Sequence, residues 1–102
     1  MTLSTYNYPL RLWQCLAAER LNVQQHKQVV LWGKTFALHR VKLEVIEGDL
    51  GPVGIAAYAQ DSTAVASVVR QWSDPRGMYR ALHRLHLVLQ ARMRREQTAK
   101  DD

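Results

Sequence analysis

A chain of 102 residues, 47% hydrophobic and 23% charged, has the size and composition of one small globular domain. Its net charge of +5 favours polyanionic partners such as nucleic acid or an acidic protein surface. The single cysteine, Cys15, excludes an internal disulfide and a cysteine-based zinc site. No run approaches the roughly 18 apolar residues of a membrane span, and a cytoplasmic protein without a membrane role is expected.

Residues 1–8 read as a polar leader without the basic and apolar regions of a secretory signal. Pro9 suits a first helical position. Leu10, Trp13, Leu16, Ala17 and Leu21 then form an amphipathic stripe, which predicts a helix over 9–21 stopped by Asn22. Cys15 falls within it and is expected as a buried thiol.

The segment 23–60 carries mixed signals. Val29 to Trp32 is a short apolar run before Gly33 and Lys34, and Trp32 is expected to be partly exposed at a turn. Val41, Leu43 and Val45 alternate with Arg40, Lys42 and Glu44, a period of two that predicts a strand. His39 falls at the start of this strand-like run. Glu47 to Pro52 is a breaker cluster, and Val53, Ile55, Ala57 and Ala59 could form one face of another strand. A helix over 53–60 competes, because Pro52 could occupy its first position. The β-meander is the favoured reading.

Asp61, Ser62 and Thr63 resemble an N-cap, and Val65, Val68, Val69 and Trp72 follow at helical spacing. A helix over 62–73 is therefore expected. Asp74 and Pro75 would start the next helix, running over 75–96. In it Met78, Ala81, Leu82, Leu85, Val88, Leu89 and Met93 make an apolar stripe, and a homodimer joined through that stripe is expected. The ends, 1–8 and 97–102, are expected to be flexible. The whole is an α+β single domain over 1–102: an N-terminal helix, a short antiparallel β-meander and two C-terminal helices. The alternative is a mostly α chain with a helix-turn-helix-like pair around 53–73.

No motif fixes a reaction. Gly48, Gly51 and Gly54 lack the lysine and spacing of a phosphate-binding loop. Glu44, Glu47 and Asp49 read as a solvated loop. His83 and His86, three residues apart, lack a third ligand frame, with only His26 or His39 to offer, so no metal and no cofactor is expected. The chain reads as non-catalytic.

The last helix offers a different chemistry. Arg76, Arg80 and Arg84 stand in an i, i+4, i+8 column spanning about 12 Å. No acid lies between Arg76 and Arg95. Arginine grips phosphate or carboxylate with a planar fork at any physiological pH. One expectation is a small nucleic-acid-binding, possibly regulatory, protein. It would hold phosphates with Arg70, Arg76, Arg80, Arg84, Arg94 and Arg95, and any sequence readout would fall to Thr63, Ser67 and Arg70. The other is a non-catalytic adaptor or inhibitor docking an acidic protein. Trp32, Tyr79, His83 and His86 would then form its contact surface.

Overall fold

The computed structural model describes residues 8–59, 61–69 and 77–101, with the side chains of the last helix as far as Arg95. The helices are α1 (Leu10–Ala18), α2 (Val23–Leu38) and α3 (Gly77–Asp101), and the strands are β1 (Lys42–Gly48), β2 (Gly51–Tyr58) and β3 (Ala64–Val69). The fold is the expected α+β domain with an antiparallel meander, in strand order β1-β2-β3. The helices are distributed differently from expectation. Two precede the sheet, and among the described residues one follows it.

Three boundaries explain the difference. Asn22, read above as a stop, is the N-cap of α2. Its side chain accepts the Gln25 N–H at 2.8 Å, and the Gln25 side-chain oxygen accepts the Asn22 N–H at 3.0 Å. That reciprocal capping box starts a helix. At the other end of α2, His39 is the C-cap and Arg40 has φ +57°. The Arg40 N–H donates to the Ala37 carbonyl and the Val41 N–H to that of Phe36. This is a Schellman closure with arginine where glycine is usual. His39 therefore ends a helix rather than starting a strand.

The third boundary concerns 62–73, which is not helical where described. Ala64–Val69 is β3, paired with β2. The Asp61 side chain accepts the Thr63 N–H at 3.0 Å and Ser62 has φ +70°, so the supposed cap is a turn. A six-residue run with three valines suits a pleated surface better than a short helix. With Gly51–Tyr58 and Ala64–Val69 extended, the helix-turn-helix alternative falls. Trp72, Asp74 and Pro75 lie outside the described residues.

Register sorts the sheet's faces. Val45, Ile55 and Val68 align across the strands, as do Leu43, Ala57 and Ala66, and these rows face the core. Lys42, Glu44 and Ser67 point away and are exposed. The helices cover the core face, joined by Tyr8, Leu12, Leu16, Val29, Trp32 and Phe36. Tyr8 is thus a core residue rather than part of a leader. Its hydroxyl donates to the Val29 carbonyl at 2.7 Å, and burial pushes its pKa far up. On the rim of the fold, Arg11 of α1 pairs with Glu47 of the β1–β2 hairpin. Each holds the other in its charged form, but a pair with about half of each side chain open to solvent is weak.

Helix α3 lies across the sheet. Met78, Ala81, Leu82, Leu85 and Leu89 are buried, at about 1.5–3 kcal/mol for each large side chain. The apolar stripe is therefore consumed within the subunit, and the dimer contact suggested for it is not available there. Val88, at the edge of the stripe, remains 38% exposed. The helix continues to Asp101, through residues expected to fray.

The first turn of α3 is held from a distance. Glu19, at the end of α1, accepts the Met78 N–H at 2.7 Å and the Tyr79 N–H at 3.0 Å through its two carboxylate oxygens. A carboxylate there both satisfies open donors and meets the positive end of the helix dipole. Glu19→Ala should cost about 1–2 kcal/mol, read as a lowered urea midpoint. Glu19→Gln should recover part of it through its amide oxygen. Equal losses in the two variants would show that side-chain acceptance is not what matters.

Candidate functional site

Helix α3 presents two chemically distinct flanks, one against α2 and one against β3. On the α2 side, Trp32 is a buried core residue, 3% exposed. It is not a protruding anchor at a turn, because α2 continues through Gly33 to Leu38 and the Trp32 ring is buried on it. The rings of Tyr79, His83 and His86 lie 5.3, 5.0 and 5.9 Å from its own, with His83 stacked at 13°. Phe36 meets His86 edge-on at 5.8 Å. The four residues expected to share a surface are thus brought together, but as the seam between α2 and α3. Tyr79 and His86 are half-buried and His83 is exposed.

Burial pushes the His86 imidazole below its ordinary value of 6.5, and the neighbouring His83 adds to this. For a base depressed in the folded state, the unfolded chain binds more protons just below pH 6.5. Stability is therefore complete above about that pH and declines as pH falls through the folded value. Urea midpoints measured from pH 7.5 down to 5 should fall more steeply in the native protein than in His86→Gln. Parallel slopes would assign the decline to other groups.

The β3 flank carries the arginines. Arg80 and Arg84 are exposed, one turn apart. With His83 and Leu87 they line a depression of about 560 Å³ whose other wall is Val68 and Val69. Further along the same seam, Arg92 and Arg95 line a second, of about 310 Å³, with Val65 and Val88. Arginines 80 to 95 span about 22 Å of helix, and the six residues of β3 span about 20 Å. Cationic heads therefore accompany the strand along its length. Arg94 is exposed as well.

β3 is an outer strand. Among the described residues nothing pairs with its far edge, and it bears neither charge nor proline. Those are the usual devices that blunt a strand edge. Its floor is apolar and partly open, with Val69 63% exposed and Leu87 47%.

One arginine has a structural task. Between the pairs Ala57↔Ala66 and Tyr58↔Ala64 the register shifts, leaving Val65 as the extra residue of a bulge. Such a residue drops out of the hydrogen-bond ladder. Arg92 reaches across from α3 and donates to the Val65 carbonyl at 2.6 Å.

The remaining candidates separate. Thr63 sits in the β2–β3 turn. Its hydroxyl and N–H hold the Asp61 carboxylate below the usual carboxylate range. Ser67 faces outward on the sheet surface away from α3. The two do not share a helical reading face, because Ser67 is on a strand and Thr63 in a turn, and Arg70 and Arg76 lie outside the described residues. What sequence reasoning missed is the valine floor of the seam, Val65, Val68 and Val69, because the helical reading of 62–73 sent those residues to the core. The uncharged run AVASVV was the available signal.

The Cys15 thiol is pushed up by burial, which disfavours the reactive thiolate. Among the described residues, no three histidine, cysteine or acidic side chains gather as a metal site would require, and no helix is long and apolar enough to cross a membrane. No family model, curated protein or solved structure matches this chain, so the geometry of the β3–α3 seam stands as its own witness.

Proposed function

We propose that this protein is a non-catalytic adaptor or inhibitor that docks an acidic protein partner, taking an extended segment of it along β3. The observation that carries this reading is a strand edge that nothing among the described residues pairs with, beside a row of arginines over an apolar floor. An incoming strand gains main-chain hydrogen bonds from the edge, and its alternate side chains reach the floor and the rim. Valines 65, 68 and 69 suit apolar positions of the ligand, and Arg80, Arg84 and Arg95 suit carboxylates. A second copy of the chain is a poor occupant. Antiparallel β3–β3 pairing would place the two α3 helices on one face with their arginine flanks opposed.

Nucleic acid is the competing ligand for the same guanidinium groups. It gains less from this arrangement, because phosphates do not use an apolar floor or a strand edge. Thr63 and Ser67 also point elsewhere.

The test uses a ten-residue peptide alternating glutamate and valine, its lysine–valine counterpart, and a short DNA duplex at matched salt. The acidic peptide should bind and shift the amide signals of residues 64–69. Arg80, Arg84 and Arg95 changed together to Glu should weaken it at least about tenfold, with the fold unaltered by circular dichroism. N-methylating alternate peptide amides should abolish binding, since that removes strand addition. Duplex DNA bound more tightly than the acidic peptide, with a steep salt slope, would replace this reading with the nucleic-acid one.

A further inference from the structure

The outer side of α2 carries a surface that the β3 groove does not use. The helix is buried on one side through Val29, Trp32, Gly33 and Phe36. On the opposite side Val23, Lys27, Leu31, Lys34 and Leu38 follow one another at helical spacing. They share about 80° of the circumference and run about 22 Å along the axis. All are exposed, with Val23 at 72%, Leu31 at 53% and Leu38 at 78%. Apolar residues exposed singly are ordinary, but three in one column mark a contact surface.

The column itself limits its occupant. A stripe this narrow, with side chains on every turn, has the width of one helix packed alongside another. The segment from Val23 to Leu38 contains no aspartate or glutamate, so Lys27 meets no acid on its own helix. The lysines stand on the midline of the stripe rather than at its borders. A helix lying on a membrane keeps its cations on the polar face. Here, sinking Leu31 and Leu38 into lipid would carry Lys27 and Lys34 down with them. A second copy of α2 is a poor occupant too, because antiparallel pairing about the middle of the stripe sets Lys27 of one copy against Lys34 of the other.

We propose that the outer face of α2 is a second docking surface, and that it takes an acidic amphipathic helix of a partner protein. Leucines of that helix pack between Val23, Leu31 and Leu38, and its carboxylates face the lysines, so apolar and ionic contacts alternate along one seam. This surface shares no residue with the β3 groove, and the proposal stands apart from the strand-addition reading.

The probe is an 18-residue helical peptide whose stripe alternates leucine with glutamate, with alanine and glutamine elsewhere. Its counterpart carries lysine in place of glutamate. Binding is followed by the methyl signals of Leu31 and Leu38. The glutamate peptide should move both saturably, less tightly as salt rises, and leave the amides of 64–69 unmoved. The lysine peptide should bind at least about tenfold more weakly. Leu31→Ser should weaken the glutamate peptide about tenfold, read at Leu38, and Lys27→Glu at least about fivefold. Both positions are open to solvent, and circular dichroism should show the fold unaltered. No saturable movement, equal binding of the two peptides, undiminished binding in Lys27→Glu, or movement of the 64–69 amides in place of the two methyls would each overturn the proposal. Phosphatidylglycerol vesicles that move the two methyl signals when the glutamate peptide does not would replace the partner helix with a lipid surface.

Discussion

Gly54→Ala should be among the most damaging single changes in this chain, although it adds one methyl group. A Cβ at Gly54 would stand 2.1 Å from the Val68 carbonyl oxygen and 3.0 Å from the Val69 Cα. Those atoms are backbone, and no side-chain rotation relieves the clash. Gly54 pairs with Val69 and Ile55 with Val68, so relief requires β3 to move away from β2 over the pairs that hold its end. The expected cost is at or above the upper end of the 1–3 kcal/mol typical of overpacking, because a rigid ladder yields less than a core side chain. Urea denaturation gives the magnitude, and amide exchange across 64–69 gives the location. Protection lost throughout β3 but retained in β1 is the expected pattern. A stability within about 0.5 kcal/mol of the native protein would mean that the two strands do not approach so closely.

Trp32→Ala should cost about 3–5 kcal/mol, the usual range for truncating a buried aromatic. That is a large share of the 5–15 kcal/mol that stabilises an ordinary domain. Trp32 is the meeting point of α2 with α3: removing its ring strips contacts from Tyr79, His83 and His86 together. Trp32→Phe keeps one ring in place and should lose less than half as much. The indole also offers a spectroscopic reporter, since its environment should change when α2 separates from α3. A loss below 1 kcal/mol on truncation would show that α2 is held mainly by Val29 and Phe36.

Much of the architecture was legible in the residue pattern, and the reasons for the misses are local. The alternation of Val41, Leu43 and Val45 identified β1, because a sheet with one solvated face imposes a period of two. The stripe from Met78 to Leu89 identified α3 in the same way. Helix α2 escaped because its usual punctuation was absent: it closes at Arg40 in a left-handed conformation that costs arginine about 1–2 kcal/mol and that normally advertises itself as glycine. Its opening signal, Asn22 with Gln25, was present and was read as an ending. β3 escaped because Val65, Val68, Val69 and Trp72 match helical spacing by coincidence, and only pairing with β2 decides the matter. The glycine series of Gly48, Gly51 and Gly54 proved to be a hairpin and a close strand approach rather than a phosphate cradle.

The candidate site was half legible for a different reason. The arginines could be counted, and Tyr79, His83 and His86 could be placed on one helix side. Whether Trp32 joined them as an exposed anchor or as a buried core ring depended on long-range packing. Arg80 and Arg84 became a feature only once β3 lay beside them, because a groove between a helix and a strand has no single-segment signature.

The rim of β3, uncharged and unpaired among the described residues, also bears on how the molecule behaves when concentrated. In dilute buffer the guanidinium groups of one molecule repel those of the next and keep the two rims apart. One-molar salt shortens the reach of that repulsion to about 3 Å, while the appetite of an open ladder for another ladder is untouched. The colloidal stability of this protein therefore runs against custom: ionic strength, the common remedy for a sticky basic protein, removes the fence that keeps it from stacking edge to edge.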